Sequence, residues 1–171
     1  SVGKSNALDT LINCSLAFAK DERIHFVIAG SGECLEEFKV LTKNSKNITF
    51  LGKIPKIDIP RLLSVFDVVY DSVKNSKIYE FGLSRNKWID YMLASKPIIA
   101  SYSGFKSMIN EADCGDFIEA ENLSELKKCI LKYLYMSKDE IISKGANGNK
   151  WLIENRSFSK LASDYIRLMI S

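Results

Sequence analysis

Short apolar runs alternate with amphipathic stretches along most of this chain, and that alternation limits the possible folds more than any other feature. The apolar runs have the length of buried strands, whereas the stretches between them repeat apolar residues at helical spacing. The pattern predicts strands at 24–29, 48–51, 68–70, 97–100 and 117–118, and helices at 6–20, 35–41, 58–66, 86–94 and 106–111. Strands that alternate with helices of this length form parallel βαβ units. We therefore predict a Rossmann-like, open and mostly parallel α/β sheet with helices on both faces.

The remainder of the chain, residues 122–171, is predicted to be a helical tail. Asn122 followed three residues later by Glu125 is typical of a capping box, which begins a helix that extends to about residue 136. Two more helices are expected at 139–154 and 159–170. Because 171 residues is the length of one domain rather than two, we expect residues 1–171 to form a single domain that includes this tail.

Charge and cysteine usage exclude several classes of protein. The chain carries 24 Lys and Arg against 21 Asp and Glu, a formal net charge of +3. That excess is too small for binding by bulk phosphate neutralisation, so no nucleic-acid partner is expected. Cysteines at 14, 34, 114 and 129 match no metal-binding spacing and indicate a reduced, cytoplasmic chain. No apolar run approaches the length of a membrane span.

A single histidine limits the chemistry that the chain can perform. His25 stands between apolar residues of the first predicted strand, which favours a packed core position over a catalytic one. With no second histidine, neither a Ser-His-Asp triad nor a His-rich catalytic zinc site can be built around it. The sequence therefore predicts no metal site and identifies no catalytic residue.

An open parallel sheet binds its ligands beyond the carboxyl ends of its strands, so the loops at that edge are the places to search. Gly3-Lys4-Ser5, which precedes a predicted helix, is typical of the end of a phosphate-binding P-loop, and an aspartate of the segment Phe66-Asp67-Val68-Val69-Tyr70-Asp71 would then be a candidate magnesium ligand. Gly30-Ser31-Gly32 suggests a dinucleotide fingerprint, but its third glycine would fall at Leu35. A tight turn from strand to helix is the plainer interpretation of that glycine pair.

The stretch from Gly82 to Met92 is the most informative part of the sequence. Ser84 is a candidate N-cap, which would leave the amides of Arg85, Asn86 and Lys87 free to bind an anion at the helix start. Asp90, one turn further on, can accept hydrogen bonds from sugar hydroxyls. An ordinary capped helix in which Asp90 pairs with Lys87 explains the same spacing equally well.

Taken together, several blocks resemble the C-terminal, nucleotide-sugar-binding half of the family 4 (group 1) glycosyltransferases with the GT-B fold. SVGKSNALDTLI is similar to the loop and helix that open that domain, FVIAGSGECLEEF to its strand-GxG-helix, and ITFLGKIPKIDIPRLLSVFDVVY to its "FLG…D" segment. GLSRNKWIDYMLASKPIIAS is similar to the G-I/L-S-P-N-K-x-x-[DE]-Y-M-x-x-G-K-P-I form of bacterial enzymes that build capsule, lipopolysaccharide O-antigen and other surface polysaccharides. The order and spacing of the blocks cover essentially the whole chain.

The resemblance implies transfer of a sugar from a nucleoside-diphosphate donor of the UDP or GDP type, with retention of anomeric configuration and no obligatory metal or cofactor. It places the diphosphate and sugar at Ser84, Arg85, Asn86 and Lys87. It also implies that Asp90 accepts the ribose hydroxyls. The remaining family positions are Gly3 and Lys4 near the diphosphate, and Gly52 and Lys53 beside the nucleobase.

The chain departs from the family pattern at several of these positions. Gly82 occupies the place of the first glutamate of the family's carboxylate pair, which usually contacts the donor sugar. The family's diphosphate-binding Arg and Lys would align with Ser1 and Asn6, so Lys87 and Lys4 are the candidates to supply that charge. Arg85 stands where the family motif has proline, and Ser95 where it has glycine.

Family members also carry a preceding acceptor-binding domain, which is absent from this chain. SVGKSN resembles the inside of a loop, so we expect the chain to be part of a longer protein and to lack activity alone. The general base would then lie in the other domain or be the leaving diphosphate, and acceptors would be lipid-linked saccharides at the cytoplasmic membrane face. Two alternatives remain open: a P-loop-type nucleotide switch, and a non-catalytic interaction module on the same scaffold.

Overall fold

The structure is a computed structural model that describes residues 2–170, in which strands and helices alternate along the first two thirds of the chain. Their bounds are α1 (Asp9–Ala17), β1 (Phe26–Ala29), α2 (Leu35–Leu41), β2 (Ile48–Gly52), α3 (Ile59–Ser64), β3 (Val69–Ser72), α4 (Asn86–Leu93), β4 (Ile98–Ser101), α5 (Met108–Glu111), β5 (Gly115–Ile118), α6 (Leu123–Tyr135), α7 (Lys138–Arg156) and α8 (Phe158–Met169). Short 3-10 turns lie at Lys4–Asn6, Lys56–Asp58 and Lys77–Tyr79.

All strand pairs in the described residues are parallel. β1 pairs with β2, and β4 lies between β3 and β5. Successive side chains of a strand point to opposite faces of its sheet. Accordingly, Ile98 and Ala100 of β4 pack into one apolar cluster, whereas Ile99 packs into the other. The predicted Rossmann-like α/β architecture, with helices on both faces of parallel strands, is confirmed.

The two apolar clusters are made by different helices. One contains buried residues of α1, α2 and α6 together with Phe26 and Ile28 of β1. The other contains Trp88 and Met92 of α4 and buried residues of α3, α5 and α7. Because the strands of each sheet are parallel, their carboxyl ends lie at one edge of that sheet, and the candidate loops follow these ends.

Two predicted element starts differ from the structure. Helix α1 begins at Asp9 rather than at residue 6, because Ala7 adopts a left-handed conformation with φ of 44° that interrupts the preceding 3-10 turn. Strand β1 begins at Phe26, and His25 before it is exposed, with Nε2 at 2.9 Å from Thr49 Oγ1. The prediction of a buried core histidine was therefore wrong, because the apolar run extends beyond the buried part of the strand.

The tail is helical as predicted and each of its helices has a side-chain N-cap. The Asn122 side chain accepts a hydrogen bond from the Glu125 amide at 3.0 Å, and Ser137 forms a reciprocal capping box with Glu140. Helix α7 packs against α4, and α8 leaves most of its side chains exposed. In residues 2–170, no helix has the length and apolar character needed to cross a lipid bilayer.

Candidate functional site: the carboxyl edge of the strands

The loops at the carboxyl edge are joined by backbone hydrogen bonds. The Gly30 amide donates to the Gly52 carbonyl at 2.7 Å, and the Val2 amide donates to the Ser31 carbonyl at 3.0 Å. A Cβ on Gly32 would lie 2.3 Å from the Val2 carbonyl oxygen, so a side chain there would collide with the opening segment. Glycine is therefore required at position 32, because the backbone of the turn lies close to the backbone of the opening segment.

The opening segment does not have the geometry of a P-loop. Lys4 lies in a 3-10 turn, and the left-handed Ala7 separates it from the first residue of α1. The Lys4 amide donates to Glu33 Oε1 at 3.2 Å, whereas a P-loop directs consecutive amides at phosphate from the start of an α-helix. Gly3 and Lys4 nevertheless lie at the carboxyl edge, beside the turn that follows β1.

Asp71 is the centre of the site, and its carboxylate is buried with 3% of the side chain exposed. Oδ1 accepts hydrogen bonds from Arg85 Nη2 at 2.9 Å and Lys87 Nζ at 3.1 Å. Oδ2 accepts from Arg85 Nε at 2.8 Å and Trp88 Nε1 at 3.0 Å. Because both oxygens are engaged by cations and an indole N–H, Asp71 is not placed to be the magnesium-binding aspartate that the P-loop alternative expects within 66–71.

Arg85 also links α4 to the opening segment. Its Nη2 donates to Asn6 Oδ1 at 2.9 Å, and the Ser72 hydroxyl donates to the Asn6 carbonyl. The guanidinium is mostly buried, with 18% of the side chain exposed, whereas 39% of Lys87 remains exposed. Two cations thus share one carboxylate, which leaves one net positive charge at the start of α4.

The N-cap of α4 is Arg85, so the prediction of Ser84 as the N-cap was wrong. Arg85 has the extended backbone of a cap residue, with φ of −118° and ψ of 123°, and no side chain caps the helix. The Arg85 guanidinium is instead drawn inward by Asp71. The amides of Asn86 and Lys87 lie in the first turn and have no intrahelical acceptor, so the helix start can still hold an anion.

Asp90 is exposed, and its carboxylate takes part in no hydrogen bond or ion pair among residues 2–170. The alternative pairing of Asp90 with Lys87 is not formed, because Lys87 Nζ contacts Asp71. Ser84 and Asn86 are exposed as well. The structure thus joins Arg85 and Lys87 through Asp71 and leaves Asp90 one helical turn away on α4.

Gly52 and Lys53 lie beside a shallow cleft of about 260 Å³ at the ends of β1 and β2. The cleft is lined by Ala29, Gly30, Ser31, Lys53, Ile54 and Ile59. Gly52 has a φ of +68°, a left-handed conformation that glycine adopts readily and that turns the chain at the cleft wall. A larger, open hollow of about 580 Å³ lies around 17–23, before β1 and therefore at the opposite edge.

Gly82 has a backbone reason for lacking a side chain. Its φ is +127°, a conformation that residues other than glycine rarely adopt, although no heavy atom lies within 4 Å of an added Cβ. A glutamate at this position would therefore be strained by the backbone rather than by crowding. The loop that precedes α4 is built around this glycine.

Comparison with known proteins gives one family. A family model described as "Glycosyl transferases group 1" matches residues 2–136, which includes every candidate site residue named above. No curated protein matches the sequence.

In residues 2–170 there is no group of three or more His, Cys, Asp or Glu side chains placed to hold a metal ion.

Solved structures with the same fold are glycosyltransferases of low sequence identity. A mutant of S. aureus TarM in complex with Fondaparinux, alpha-GlcNAc-glycerol and UDP has a TM-score of 0.78 and 19% identity over 98% of this chain. Anabaena HepE in complex with UDP and glucose has a TM-score of 0.66 and 16% identity over 96%. This chain covers 33% of the TarM chain and 44% of the HepE chain.

A solved structure of comparable size identifies the corresponding part of these proteins. The C-terminal domain of the glycosyl transferase group 1 protein LpcC from Francisella tularensis has a TM-score of 0.71 and 19% identity. The match covers 91% of this chain and 84% of that domain. This chain therefore has the fold of the C-terminal half of a GT-B glycosyltransferase.

Proposed function

Because this chain belongs to the group 1 glycosyltransferases, we propose that it binds the nucleoside-diphosphate sugar donor of a longer GT-B enzyme at the carboxyl edge of its strands. The donor would be of the UDP or GDP type. The reaction would transfer a hexosyl or N-acetylhexosaminyl group with retention of configuration, and without an obligatory metal. The proposal assigns the donor contacts to nine residues: Gly3, Lys4, Gly52, Lys53, Ser84, Arg85, Asn86, Lys87 and Asp90.

The observation that carries the proposal is the pair of cations held on Asp71 at the start of α4. Arg85 and Lys87 contribute two positive charges against one carboxylate, with Nζ of Lys87 3.1 Å from Asp71 Oδ1. The net positive charge, together with the unpaired first-turn amides, is suited to a diphosphate. Because Asp71 already holds both cations, ligand binding would cost little additional side-chain entropy at these two residues.

The rest of the donor can be placed on either side of this diphosphate position. The cleft beside Lys53 and Ile54 would receive the nucleobase against an apolar wall, and the unpaired Asp90 carboxylate would accept the ribose hydroxyls. The structures of TarM and HepE were solved with UDP, which supports a uridine nucleotide. Neither likeness assigns the base that this chain selects.

The full reaction requires parts that these residues do not supply. No residue here is proposed as the general base, which would lie in an acceptor-binding domain outside this chain or be the leaving diphosphate. We accordingly expect the chain by itself to bind nucleotide without transferring sugar. The proposed setting is cytoplasmic assembly of capsule, O-antigen or exopolysaccharide, with a lipid-linked saccharide acceptor, a peripheral position at the membrane and no nucleic-acid partner.

A two-dimensional NMR titration of the chain with UDP, GDP and ATP, each with and without magnesium, tests the proposal. We expect saturable shifts with UDP or GDP in the absence of metal, centred on Gly3, Gly52 and 84–90. Magnesium-dependent shifts with ATP or GDP that are confined to the surroundings of Lys4 would instead favour the P-loop alternative. Silence from every nucleotide would favour a non-catalytic interaction module.

The variant Asp90→Asn tests the ribose contact within the same experiment. Loss of a charge-assisted hydrogen bond should weaken UDP binding by about 1–3 kcal/mol, or about 5- to 150-fold in Kd. Asp139→Asn is the matched control, because Asp139 is an exposed aspartate on α7. Equal affinities for the two variants would remove Asp90 from the donor site.

A further inference from the structure

The strands of this chain form two separate sheets that share one core. β1 pairs with β2 and β3 pairs with β4, so within residues 2–170 the second edge of β1 and the second edge of β3 have no neighbouring strand. Ile28 of β1, Ile99 of β4 and the half-buried Tyr70 of β3 nevertheless pack into the same apolar cluster, together with residues of α1 and α6. The two unpaired edges therefore belong to the interior of the fold.

The backbone groups on these two edges can be identified because successive residues of a strand direct their amides to opposite neighbours. The Phe26 amide donates to the Asn47 carbonyl at 2.8 Å, and the Val69 amide donates to the Pro97 carbonyl at 3.0 Å. The residues that alternate with Phe26 and Val69 therefore face away from β2 and β4. These residues are Val27, Ala29, Tyr70 and Ser72. Buried backbone groups of this kind normally have a hydrogen-bond partner.

The opening segment lies between the two edges at the carboxyl ends of the strands. The Val2 amide donates to the Ser31 carbonyl at 3.0 Å, which continues the alternation of β1 on its unpaired side. On the other side, the Lys74 amide donates to the Ser5 carbonyl at 3.2 Å, just after β3. Val2 is 1% exposed and belongs to the shared apolar cluster. Its backbone is thus placed where a parallel strand between β1 and β3 would end.

Helix α1 runs in the direction of a crossover helix. It begins after the opening segment, at the carboxyl edge, and leads to the amino end of β1. A crossover helix joins two parallel strands of one sheet, and β1 is the second strand of that pair. In the doubly wound order 3-2-1-4-5-6, β2 and β1 take positions 3 and 2, and β3, β4 and β5 take positions 4, 5 and 6. The first strand of that order falls between β1 and β3.

We propose that a parallel β-strand lies between β1 and β3 in the longer protein, and that it is the segment that leads directly into Val2. Helices cover both faces of this position, since Tyr70 packs into the cluster of α1 and α6 and Val69 into the cluster of α3 and α4. A strand buried on both faces is a near-continuous apolar run, so we expect about four residues rich in Val, Ile and Leu. The proposal concerns backbone pairing alone and does not depend on the proposed function.

Amide hydrogen exchange of the longer protein, measured at single residues by mass spectrometry, tests the proposal. We expect the amides that face this position to exchange at least about a hundredfold more slowly than those of Ile48 and Phe50. Ile48 and Phe50 are the matched control, because they face away from β1 on the outer edge of β2. Replacing the ten or so residues directly before residue 1 by Gly and Ser, about the length of one strand with its turns, should remove the difference.

A pair of proline variants gives a second measurement in the longer protein. Val27→Pro removes an amide that faces the proposed strand and leaves the bonds between β1 and β2 in place. Ile48→Pro, at an equally half-buried position, removes an amide from the outer edge, where proline is tolerated. We expect Val27→Pro to lower the urea midpoint clearly more than Ile48→Pro does.

Three outcomes would overturn the proposal. The first is exchange at Val27, Ala29, Tyr70 and Ser72 as fast as at Ile48 and Phe50 in the unmodified longer protein. The second is an equal urea midpoint for the two proline variants. The third is slow exchange that depends on protein concentration, because a strand from a second copy would then occupy the position instead of the segment before Val2.

Discussion

At the scale of single residues, Asp71 decides how the positive charges of the site are arranged. The variant Asp71→Asn leaves the mostly buried guanidinium of Arg85 without its carboxylate partner. Breaking a fully buried pair costs about 3–5 kcal/mol, and because Lys87 remains partly exposed to water we expect about 2–3 kcal/mol here. Urea unfolding of the variant measures this loss, with Asp67→Asn, an exposed aspartate before β3, as the control. A loss below about 0.5 kcal/mol would mean that the cations are held by other groups.

Arg85 and Lys87 were predictable from the sequence, whereas Asp71, the residue that holds both of them, was not. Asp71 was considered only as a magnesium ligand, because its partners Arg85 and Lys87 are 14 and 16 positions away and no periodicity links them. The available signal was an aspartate at the end of a buried apolar run, where parallel strands place ligand-binding groups. The Ser84 cap was mispredicted for the same reason, since a distant carboxylate fixes the position of Arg85.

At the scale of elements, the contact between α4 and α7 depends on a glycine within a helix. A Cβ on Gly145 would lie 2.0 Å from the Ser95 carbonyl oxygen, which is backbone and cannot rotate away. Gly145→Ala should therefore lower the free energy of unfolding by about 2 kcal/mol, despite alanine's higher helix propensity. Thermal or urea unfolding measures the change. Ser143→Ala, at an exposed position of the same helix, should change stability by less than about 0.5 kcal/mol, and a stabilised Gly145→Ala would contradict the close packing.

The order and type of the elements were predictable because apolar spacing is a local property. The ends of the elements were less predictable, because they depend on the backbone conformation of single residues such as the left-handed Ala7 before α1. His25 shows the same limit, because an apolar run cannot show where a strand leaves the core. Gly52 and Lys53 were predicted as site residues only from the family resemblance. The cleft beside them is formed by the ends of β1 and β2, which the sequence does not show to be neighbours.

At the scale of the whole molecule, the cysteines can report whether the two apolar clusters open together. Cys14 and Cys129 lie in one cluster and Cys114 in the other, and all three are buried. Burial raises the pKa of Cys14 to about 12 and the pKa values of Cys114 and Cys129 to about 11. At mildly alkaline pH these thiols therefore stay protonated and unreactive while the chain is folded.

We expect an aromatic disulfide reagent to label Cys14, Cys114 and Cys129 at least about a thousandfold more slowly in the folded chain than in urea, with these three of the four thiols reacting together. Mass spectrometry of the labelled peptides identifies the order of reaction. Labelling of Cys114 well before Cys14 and Cys129 would show that the cluster around α4 and α7 opens independently. Urea-unfolded protein, in which all thiols are accessible, gives the reference rate.

The ion pair between Asp71 and Arg85 also limits which substitutions this sequence can accumulate. Loss of the aspartate alone leaves a mostly buried guanidinium without its carboxylate, and loss of the arginine alone removes the main partner of a buried carboxylate. Each single step is disfavoured, although a joint replacement by uncharged residues need not be. The two positions are therefore expected to change together, and a descendant that gains the proline of the family motif at position 85 would be under selection to change position 71 as well.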